Sequence, residues 1–424
     1  MKVLLISANT EKINMLILPL GLGCVAAAAR KTGHEVKIVD LMTAKDTFSV
    51  IREALTGFDP SCIGIAVRNI DDQRMENTQF LLDEVKGVVA DCRRLSLAPI
   101  VLGGAGYSIF PEGGLAYLGA DMGIQGEGEM AMPALLDRIE EGVGLSGIPG
   151  LYLPRSGIQA ERRFERDLDA LPLPDDHVWC SSDSRPSEIW MPVQTRRGCH
   201  MNCNYCSTAT IEGTALRRRS PKLVVEWISH YVSAGFQRFH FVDNTFNIPA
   251  SYAREICRAL VAHGLEISWR CILYPWRIDK ALVNDMARSG CNEVSLGFES
   301  GCDRILRIMN KRFTAEEVRL TSRLLADHGI QQIGFLLLGG PGETRESVEE
   351  SLIYADSLPL DMVKISAGIR IYPNTALART SIQEGIITPV DNLLLPRFYL
   401  ARGLEDWLHD TVHRWIAERP HWMI

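Results

Sequence analysis

The sequence lacks an excess of basic residues and has no apolar run long enough to span a bilayer. Its formal net charge is −7, which argues against a nucleic-acid partner, because such proteins normally carry a basic surface. Residues 1–7 are too short for the apolar core of a secretory signal and are expected to form a strand. With 46% hydrophobic and 23% charged residues among 424, the composition predicts a cytoplasmic globular protein of two or three domains without membrane insertion.

Three of the eleven cysteines stand close together, in the run Cys199-x-x-x-Cys203-x-x-Cys206. Iron–sulfur clusters take cysteine thiolates as ligands, and four ligands complete the set. Three thiolates would leave one iron open to a small molecule. Structural zinc is the alternative, but it needs four ligands, and His200 is badly placed to supply the fourth. The other eight cysteines lie in mostly apolar segments and are expected to be reduced core residues: Cys24, Cys62, Cys92, Cys180, Cys257, Cys271, Cys291 and Cys302.

This spacing resembles the cysteine motif of the radical S-adenosylmethionine (SAM) superfamily. In that superfamily the amino and carboxylate groups of SAM ligate the open iron of a [4Fe–4S] cluster. Tyr205 stands just before the last cysteine, where family members commonly place an aromatic residue beside the SAM adenine. The resemblance implies that Cys199, Cys203 and Cys206 hold the cluster and that SAM is a cofactor.

The N-terminal third alternates short apolar runs with amphipathic stretches. This alternation predicts an α/β domain over residues 1–150, with a doubly wound, Rossmann-like parallel sheet that binds its ligand beyond the carboxyl ends of the strands. The predicted strands are Val3–Ala8, Glu35–Asp40, Cys62–Arg68, Pro99–Gly104 and Asp121–Gln125, and the predicted helices are 19–32, 47–57, 74–94, 111–118 and 128–142.

Glycine-rich loops follow the fourth and fifth predicted strands, at Gly103–Ser108 and Gln125–Glu129. Glycine there lets the backbone approach a ligand closely. Together with Pro19–Gly23, these loops resemble the cobalamin-binding domain that precedes the catalytic domain in one branch of radical SAM enzymes. The resemblance implies these cobalamin-binding residues: Leu20, Gly21, Arg68, Asn69, Gly103, Gly104, Ala105, Ser108, Gln125, Gly126, Glu127 and Glu129.

The D-x-H-x-x-G motif of methionine-synthase-like domains, whose histidine ligates cobalt, is missing. The corresponding loop, Val67–Asp72, contains no histidine. The radical SAM branch is known for cobalamin without a protein histidine on cobalt, so the absence fits the resemblance. Arg68 would then lie near the lower face of the corrin, where its cation cannot ligate cobalt. The alternative for Arg68 and Asn69 is capping of the loop backbone.

Residues 151–190 include a proline-rich stretch and are predicted to form a linker. Six strand-like runs separated by helical stretches then predict a partial (β/α)6 TIM-type barrel over residues 191–385, with its chemistry at the carboxyl ends of the strands. Residues 386–424, rich in aromatics and with a helix over 402–418, are predicted to form a helical C-terminal cap. The barrel strands are expected at Trp190–Thr195, Arg238–Val242, Glu266–Cys271, Glu293–Gly297, Gln332–Leu338 and Lys364–Ile371.

Polar residues at the predicted strand ends resemble the SAM-contacting elements of the superfamily. The resemblance implies that Arg370 and Tyr372 are catalytic residues. Arg370 would pair with a carboxylate of SAM or substrate, although a structural salt bridge is an equal alternative. The implied SAM contacts besides Tyr205 are Asp243, Asn247, Glu299, Ser300, Leu338 and Arg370.

The resemblance implies a cobalamin-dependent radical SAM methyltransferase acting on an unactivated carbon of a small molecule, through methylcobalamin and a 5′-deoxyadenosyl radical. An external electron donor of the flavodoxin or ferredoxin type would reduce the cluster. One alternative keeps both cofactors but performs an oxidative cyclisation or rearrangement. A second is a non-catalytic cobalamin carrier or sensor. Methylthiotransferases are disfavoured, because the N-terminal domain shows no second set of cluster cysteines.

Overall fold

The structure, a computed structural model, describes residues 1–11, 18–175 and 186–424. These residues divide into two compact units. The first unit draws on residues 1–72, 79–175 and 210–213, and the second on residues 73–78, 186–209 and 214–424.

The described part of the first unit contains one seven-stranded sheet in the order β2-β1-β3-β4-β5-β6-β7. The first five strands are parallel, and the last two add antiparallel to the edge at β5. The strands are β1 Lys2–Ser7, β2 Glu35–Asp40, β3 Cys62–Ala66, β4 Ile100–Gly103, β5 Met122–Ile124, β6 Leu151–Leu153 and β7 Gly157–Ile158. The helices are α1 Leu20–Lys31, α2 Thr47–Phe58, α3 Leu82–Leu95, α4 Ala105–Ile109, α5 Pro111–Leu118 and α6 Gly128–Glu141.

The central strand β1 explains why the sheet is covered on both faces. Four consecutive apolar residues in β1 are at most 1% exposed, which is typical of parallel strands with helices on either side. On one face, small residues of α1 such as Ala26 and Ala29 share a core with Leu135 and Leu136 of α6. The predicted parallel α/β sheet is confirmed.

Two details of the first unit differ from the prediction. Helix α3 begins at Leu82 instead of residue 74, because Gln73 and Asn77 have φ angles of 60° and 52°, outside the helical region. The predicted linker contains β6 and β7, which extend the sheet beyond residue 150. Cys180, predicted to be a core cysteine, lies outside the described residues, whereas the other seven predicted core cysteines are buried and form no disulfide among the described residues.

The second unit contains a seven-stranded parallel sheet in the order β18-β15-β14-β13-β12-β11-β8. Its first six strands in the chain follow one another across the sheet, so the predicted partial (β/α)6 barrel is confirmed. These strands are β8 Trp190–Val193, β11 Arg238–Phe241, β12 Ser268–Leu273, β13 Cys291–Glu299, β14 Gln331–Leu338 and β15 Met362–Ala367, followed by β18 Trp422–Met423. Two small antiparallel pairs join β9 Arg196–Arg197 to β10 Arg217–Arg218 and β16 Ile369–Arg370 to β17 Phe398–Tyr399.

Five helices of the second unit begin at side chains that accept a hydrogen bond from the first helical turn. Ser220, Asp279, Thr314, Thr344 and Thr375 each accept from the backbone N–H three residues later. The helices are α7 Thr208–Glu212, α8 Pro221–Ser233, α9 Ala250–Ala262, α10 Lys280–Arg288, α11 Asp303–Ile308, α12 Ala315–Asp327, α13 Arg345–Asp356, α14 Ala376–Gln383 and α15 Leu408–Ala417. Within the described ranges, no helix is both long and apolar enough to cross a bilayer.

Candidate functional site

The loop after β4 presses closely against the loop after β3. Gly104 has φ +101°, and a Cβ there would lie 2.5 Å from the Val67 carbonyl oxygen. A Cβ on Gly106 would lie 2.9 Å from the Arg68 carbonyl oxygen. Since real Cβ atoms do not approach backbone oxygens so closely, the glycines allow the two loops to pack together at the carboxyl end of the sheet.

Ser108 joins the loops after β4 and β5. Ser108 is 1% exposed. Its hydroxyl donates to the Gly104 carbonyl at 2.9 Å and accepts from the Gly126 N–H at 2.9 Å. The Gln125 amide donates to the Ser108 carbonyl at 2.9 Å. Ser108 therefore positions both predicted cobalamin loops. Its own hydroxyl is already hydrogen-bonded to backbone groups of the chain.

The loop after β3 places an exposed Arg68 beside a half-buried Asn69. The Asn69 amide donates to the Asn9 side-chain oxygen Oδ1 at 3.4 Å. Asn9 lies two residues after the end of β1 and is 9% exposed, and its Nδ2 atom has no hydrogen-bond partner in the part of the chain that the structure describes. An unpartnered buried amide beside close-packed glycines fits a ligand rich in polar side groups such as cobalamin. Sequence reasoning missed Asn9, although its position at a strand end was a usable signal.

The other predicted cobalamin residues occupy the same sheet edge. Gly103 ends β4, Ala105 begins α4, and Leu20 and Gly21 begin α1. A Cβ at Gly103 or Gly21 would meet nothing within 4 Å, so backbone is accessible at both positions. Glu127 accepts a hydrogen bond from the Glu165 N–H at 2.8 Å. Glu129, in the first turn of α6, is buried. Direct contact of these residues with cobalamin stays a prediction.

We expect Gly104→Ala to weaken cobalamin binding at least about ten-fold, because the methyl group would force the loops after β3 and β4 apart at a left-handed φ. Gly87→Ala is the matched control, since Gly87 is exposed on α3 and a Cβ there meets nothing within 4 Å. Equilibrium dialysis with hydroxocobalamin measures both dissociation constants. Equal affinities for the two variants would contradict the assigned role of Gly104.

The three clustered cysteines lie in the loop after β9, and each is half-buried and outside any disulfide among the described residues. The Cys206 N–H donates to the Cys203 carbonyl at 3.2 Å, which forms a tight turn between the last two thiols. Burial raises the pKa of Cys203 to about 11, although the nearby Lys311 ammonium lowers it. Among the described residues, no group of three histidine, cysteine or acidic side chains converges on a single metal ion. In a cluster, by contrast, the three thiolates would bind three separate irons.

A single segment, Ile308–Arg312, holds the cysteine loop in place. The Asn204 N–H donates to the Met309 carbonyl at 3.1 Å, and the Asn204 amide donates to the Ile308 carbonyl at 3.0 Å. In the reverse direction, the Asn310 amide donates to the Asn202 carbonyl at 2.6 Å. The Arg312 guanidinium donates to the His200 carbonyl at 3.0 Å. These four bonds fix the loop backbone between and around the thiols.

Lys311, in the same segment, forms a buried polar group with Tyr205 and Glu299. Its ammonium lies 3.0 Å from the Tyr205 hydroxyl and 3.0 Å from Glu299 Oε1. The Tyr205 hydroxyl donates to Glu299 Oε1 at 2.8 Å. Burial disfavours the Lys311 ammonium, but Glu299 and Tyr205 outweigh it and hold its pKa well above the usual range. Burial, followed by the Glu299 charge, raises the pKa of Tyr205. The structure thus brings together two predicted SAM contacts, Tyr205 and Glu299, and adds Lys311, which sequence reasoning missed.

Asp243 and Asn247, two of the predicted SAM contacts, make hydrogen bonds within the chain. Asp243 is fully buried, and its carboxylate accepts from the Thr195 N–H at 2.8 Å, the Thr195 hydroxyl at 2.7 Å and the Arg196 N–H at 3.1 Å. The Asn247 amide donates to the Tyr274 carbonyl at 2.7 Å and accepts from the Tyr274 N–H at 2.9 Å. Both side chains therefore position backbone at the strand ends, and their direct contact with SAM stays a prediction.

Ser300, Leu338 and Arg370 also have structural roles. The Ser300 hydroxyl is buried, lies 2.8 Å from the Ser351 hydroxyl and accepts from the Cys302 N–H. Leu338 ends β14 with no exposed surface.

Arg370 is 4% exposed and donates to the carbonyls of Ile371 at 2.7 Å and Leu393 at 2.8 Å. It thus ties the end of the barrel to the C-terminal region, and its pairing with a carboxylate of SAM or substrate stays a prediction. Tyr372 is half-buried with its ring 5.2 Å from the Arg370 guanidinium, and a catalytic role for it stays a prediction.

The turn after β14 contains a buried carboxyl group. Glu343 is 3% exposed, and its Oε2 atom accepts from the Gly339 N–H and from the Gly340 N–H, the latter at 2.7 Å. Its Oε1 atom is buried without a partner among the described residues. Burial raises the pKa of Glu343 to about 7, against the lowering effect of the two N–H groups.

This pKa predicts a pH dependence of stability. The folded pKa is raised above the ordinary value of 4.5 to about 7, so the protonated form is favoured in the folded state. The protonated Glu343 carboxyl therefore contributes about 3 kcal/mol to the free energy of unfolding. This contribution is fully present below pH 4.5 and is lost as the pH rises through about 7. Urea unfolding at pH 4.5, 6 and 7.5 measures the free energy of unfolding of wild type and Glu343→Gln. Only wild type should lose this contribution of Glu343 as the pH rises. Parallel pH profiles would contradict the prediction.

Comparisons with known proteins match both units to families. Residues 6–136 match the B12 binding domain family, and residues 193–355 match the radical SAM superfamily. An uncharacterized methyltransferase of Pyrococcus horikoshii is 28% identical, over 91% of this chain and 84% of the relative. The cytidylyl-2-hydroxyethylphosphonate methyltransferase of Streptomyces wedmorensis is 26% identical, over 88% of this chain and 80% of the relative.

A solved structure shares the fold. The radical SAM methyltransferase TsrM from Kitasatospora setae, determined with its tryptophan substrate and a SAM analogue, superposes with a TM-score of 0.88 at 22% identity, covering 100% of this chain and 91% of that chain. The two family matches confirm the predicted cofactor set of [4Fe–4S] cluster, SAM and cobalamin. The chain thus carries a segment that matches the B12 binding domain family, followed by a segment that matches the radical SAM superfamily.

Proposed function

We propose that the protein is a cytoplasmic cobalamin-dependent methyltransferase that methylates an unactivated carbon of a small-molecule substrate. The observation that carries the proposal is the presence of both cofactor domains in one chain, in the same order and over nearly the same length as in methyltransferase relatives. One of those relatives is named for a cytidylyl phosphonate and the solved structure contains tryptophan. Small polar molecules are therefore the proposed substrate class.

Each part of the site has a proposed task. Cys199, Cys203 and Cys206 hold the cluster, and Ile308–Arg312 fixes the loop that carries them. The glycine loops of the first unit hold the corrin, and Arg68 leaves cobalt without a protein nitrogen ligand. When bound, these cofactors supply a carbon radical and a transferable methyl group. The protein positions the reactants and excludes water.

Labelled SAM tests the reaction. With SAM carrying a trideuterated methyl group and a one-electron reductant, the product should gain three deuteriums. S-adenosylhomocysteine and 5′-deoxyadenosine should form in a ratio near one, because one SAM supplies the methyl group and another supplies the radical. A product lighter by two hydrogens, without label, would instead indicate an oxidative cyclisation. Binding of cobalamin without any SAM cleavage would indicate a carrier.

A further inference from the structure

A cavity of about 410 Å³ opens in the second unit beside the cysteine loop. It lies at the carboxyl ends of strands β8, β11 and β12, and one of its walls is His200, the residue that follows Cys199. It is lined by His200, Leu216, Arg218, Asn247, Ile248, Pro249, Ala250, Trp276 and Arg277. None of the lining residues is acidic.

The rim of this cavity carries exposed positive charge. Arg218 and Arg277 line the cavity, and Arg312 stands next to it through contacts with Trp276 and His200. All three arginines are exposed, and none has a carboxylate within 4 Å in the described ranges of the chain. We call Arg218, Arg277, Arg312 and His200 the cationic face.

Some arginines elsewhere on the second unit are paired with acidic side chains. Arg254 and Arg258 both pair with Asp285, at 3.0 and 3.1 Å, and Arg419 pairs with Asp356 at 3.0 Å. The cationic face instead groups three exposed arginines that have no carboxylate within 4 Å among the described residues, in a chain with a net charge of −7.

Trp276 holds the charges of this face in position. The Arg277 guanidinium lies 4.5 Å from the Trp276 ring centroid, and the Arg312 guanidinium lies 5.8 Å from it. Such contacts orient a cation at small cost. Arg277 itself has φ +54°, a conformation that L residues with long side chains rarely adopt and that is found mostly where function requires it.

We propose that the cationic face docks the acidic, low-potential electron-carrier protein that reduces the cluster. The inference rests on the proposed function, because that reaction requires an electron from outside the chain. One electron leaves the reduced carrier and one electron enters the cluster, and no bond forms or breaks.

Two properties of the face support this partner. The face adjoins the cysteine loop through His200, so a docked carrier would lie next to the cluster ligands. Grouped charges of one sign attract a partner of opposite sign and raise its association rate by about 10 to 1,000-fold at low salt. An acidic carrier of the flavodoxin or ferredoxin type has the required charge.

The test uses the cluster-loaded protein and flavodoxin reduced to its hydroquinone. The double variant Arg218→Glu/Arg277→Glu should slow cluster reduction, followed by visible absorbance, at least about ten-fold at low salt. Reduction by dithionite should not change, because a small reductant needs no docking surface. Arg323→Glu is the control, since Arg323 is an exposed arginine in the middle of α12. Calorimetry with oxidised flavodoxin and cluster-free protein should show the same loss of binding.

The outcomes separate the two proposals. Unchanged flavodoxin rates and affinity in the double variant would overturn the docking face. An unchanged flavodoxin rate together with a raised KM for an anionic substrate would also overturn it, and would assign the cavity to substrate. Failure of methyl transfer even with dithionite in wild-type protein would instead overturn the proposed function and would not bear on docking.

Discussion

Replacing Cys199, Cys203 or Cys206 with alanine is expected to abolish both SAM cleavage and methyl transfer. Each thiol would bind a different iron, so loss of one leaves the cluster with two protein ligands and a second open iron. Wild-type protein reconstituted without oxygen should contain about four irons and four sulfides per chain. Each variant should contain far less and should form no detectable 5′-deoxyadenosine.

Cys92→Ala is the matched control for this series. Cys92 is buried in α3, and burial raises its pKa to about 12, so its thiol stays protonated and packs as a small apolar group. Its replacement should cost only the packing energy of one sulfur, about 1 to 2 kcal/mol, and should leave iron content unchanged. A variant of Cys199, Cys203 or Cys206 that cleaves SAM at the wild-type rate would refute the cluster assignment.

Lys311→Met is expected to destabilise the second unit by about 3 to 5 kcal/mol, because it leaves the Glu299 carboxylate buried without its counterion. The side chains of Lys311 and Glu299 are 3% and 13% exposed, so water cannot replace the lost partner. The double variant Lys311→Met/Glu299→Gln removes both charges and should recover most of the loss. Urea unfolding followed by tryptophan fluorescence gives the free energies, and iron analysis reports whether the cysteine loop still holds its cluster.

Lys222→Met removes an exposed lysine and serves as the control. Lys222 is 83% exposed and lies 3.8 Å from Glu226 one turn along α8, and such pairs contribute only about 0.3 to 0.5 kcal/mol. A Lys311→Met variant no less stable than Lys222→Met would show that the Lys311–Glu299 contact contributes nothing. Additive single and double variants would show that the two residues act independently.

The fold could be predicted from the sequence because its signals are local. Apolar runs, glycine turns and capping residues mark each strand and helix, and strand order follows from the rules of parallel sheets. The cysteine motif was equally local, since its three ligands lie within eight positions. The start of α3 was missed because the left-handed backbone of Gln73 and Asn77 has no signature that periodicity can detect.

The polar residues of the site were harder to assign, because the use of a side chain depends on neighbours far apart in the chain. Asp243 and Arg370 stand where a ligand contact was expected, yet the structure gives their polar atoms to backbone groups. Lys311 is separated from Tyr205 by 106 positions, and nothing in its own segment indicates that it meets a cysteine loop.

The short strand β18 covers part of an open edge of the incomplete barrel. A barrel that does not close is an open sheet, and each open edge offers unpaired N–H and C=O groups to another chain. Trp422 and Met423 pair with Val363 and Lys364 of β15, and Trp422 is 3% exposed. The end of the chain therefore completes one border of the sheet. By pairing with two residues of β15, β18 reduces the number of unpaired backbone groups that this border would otherwise offer to another chain.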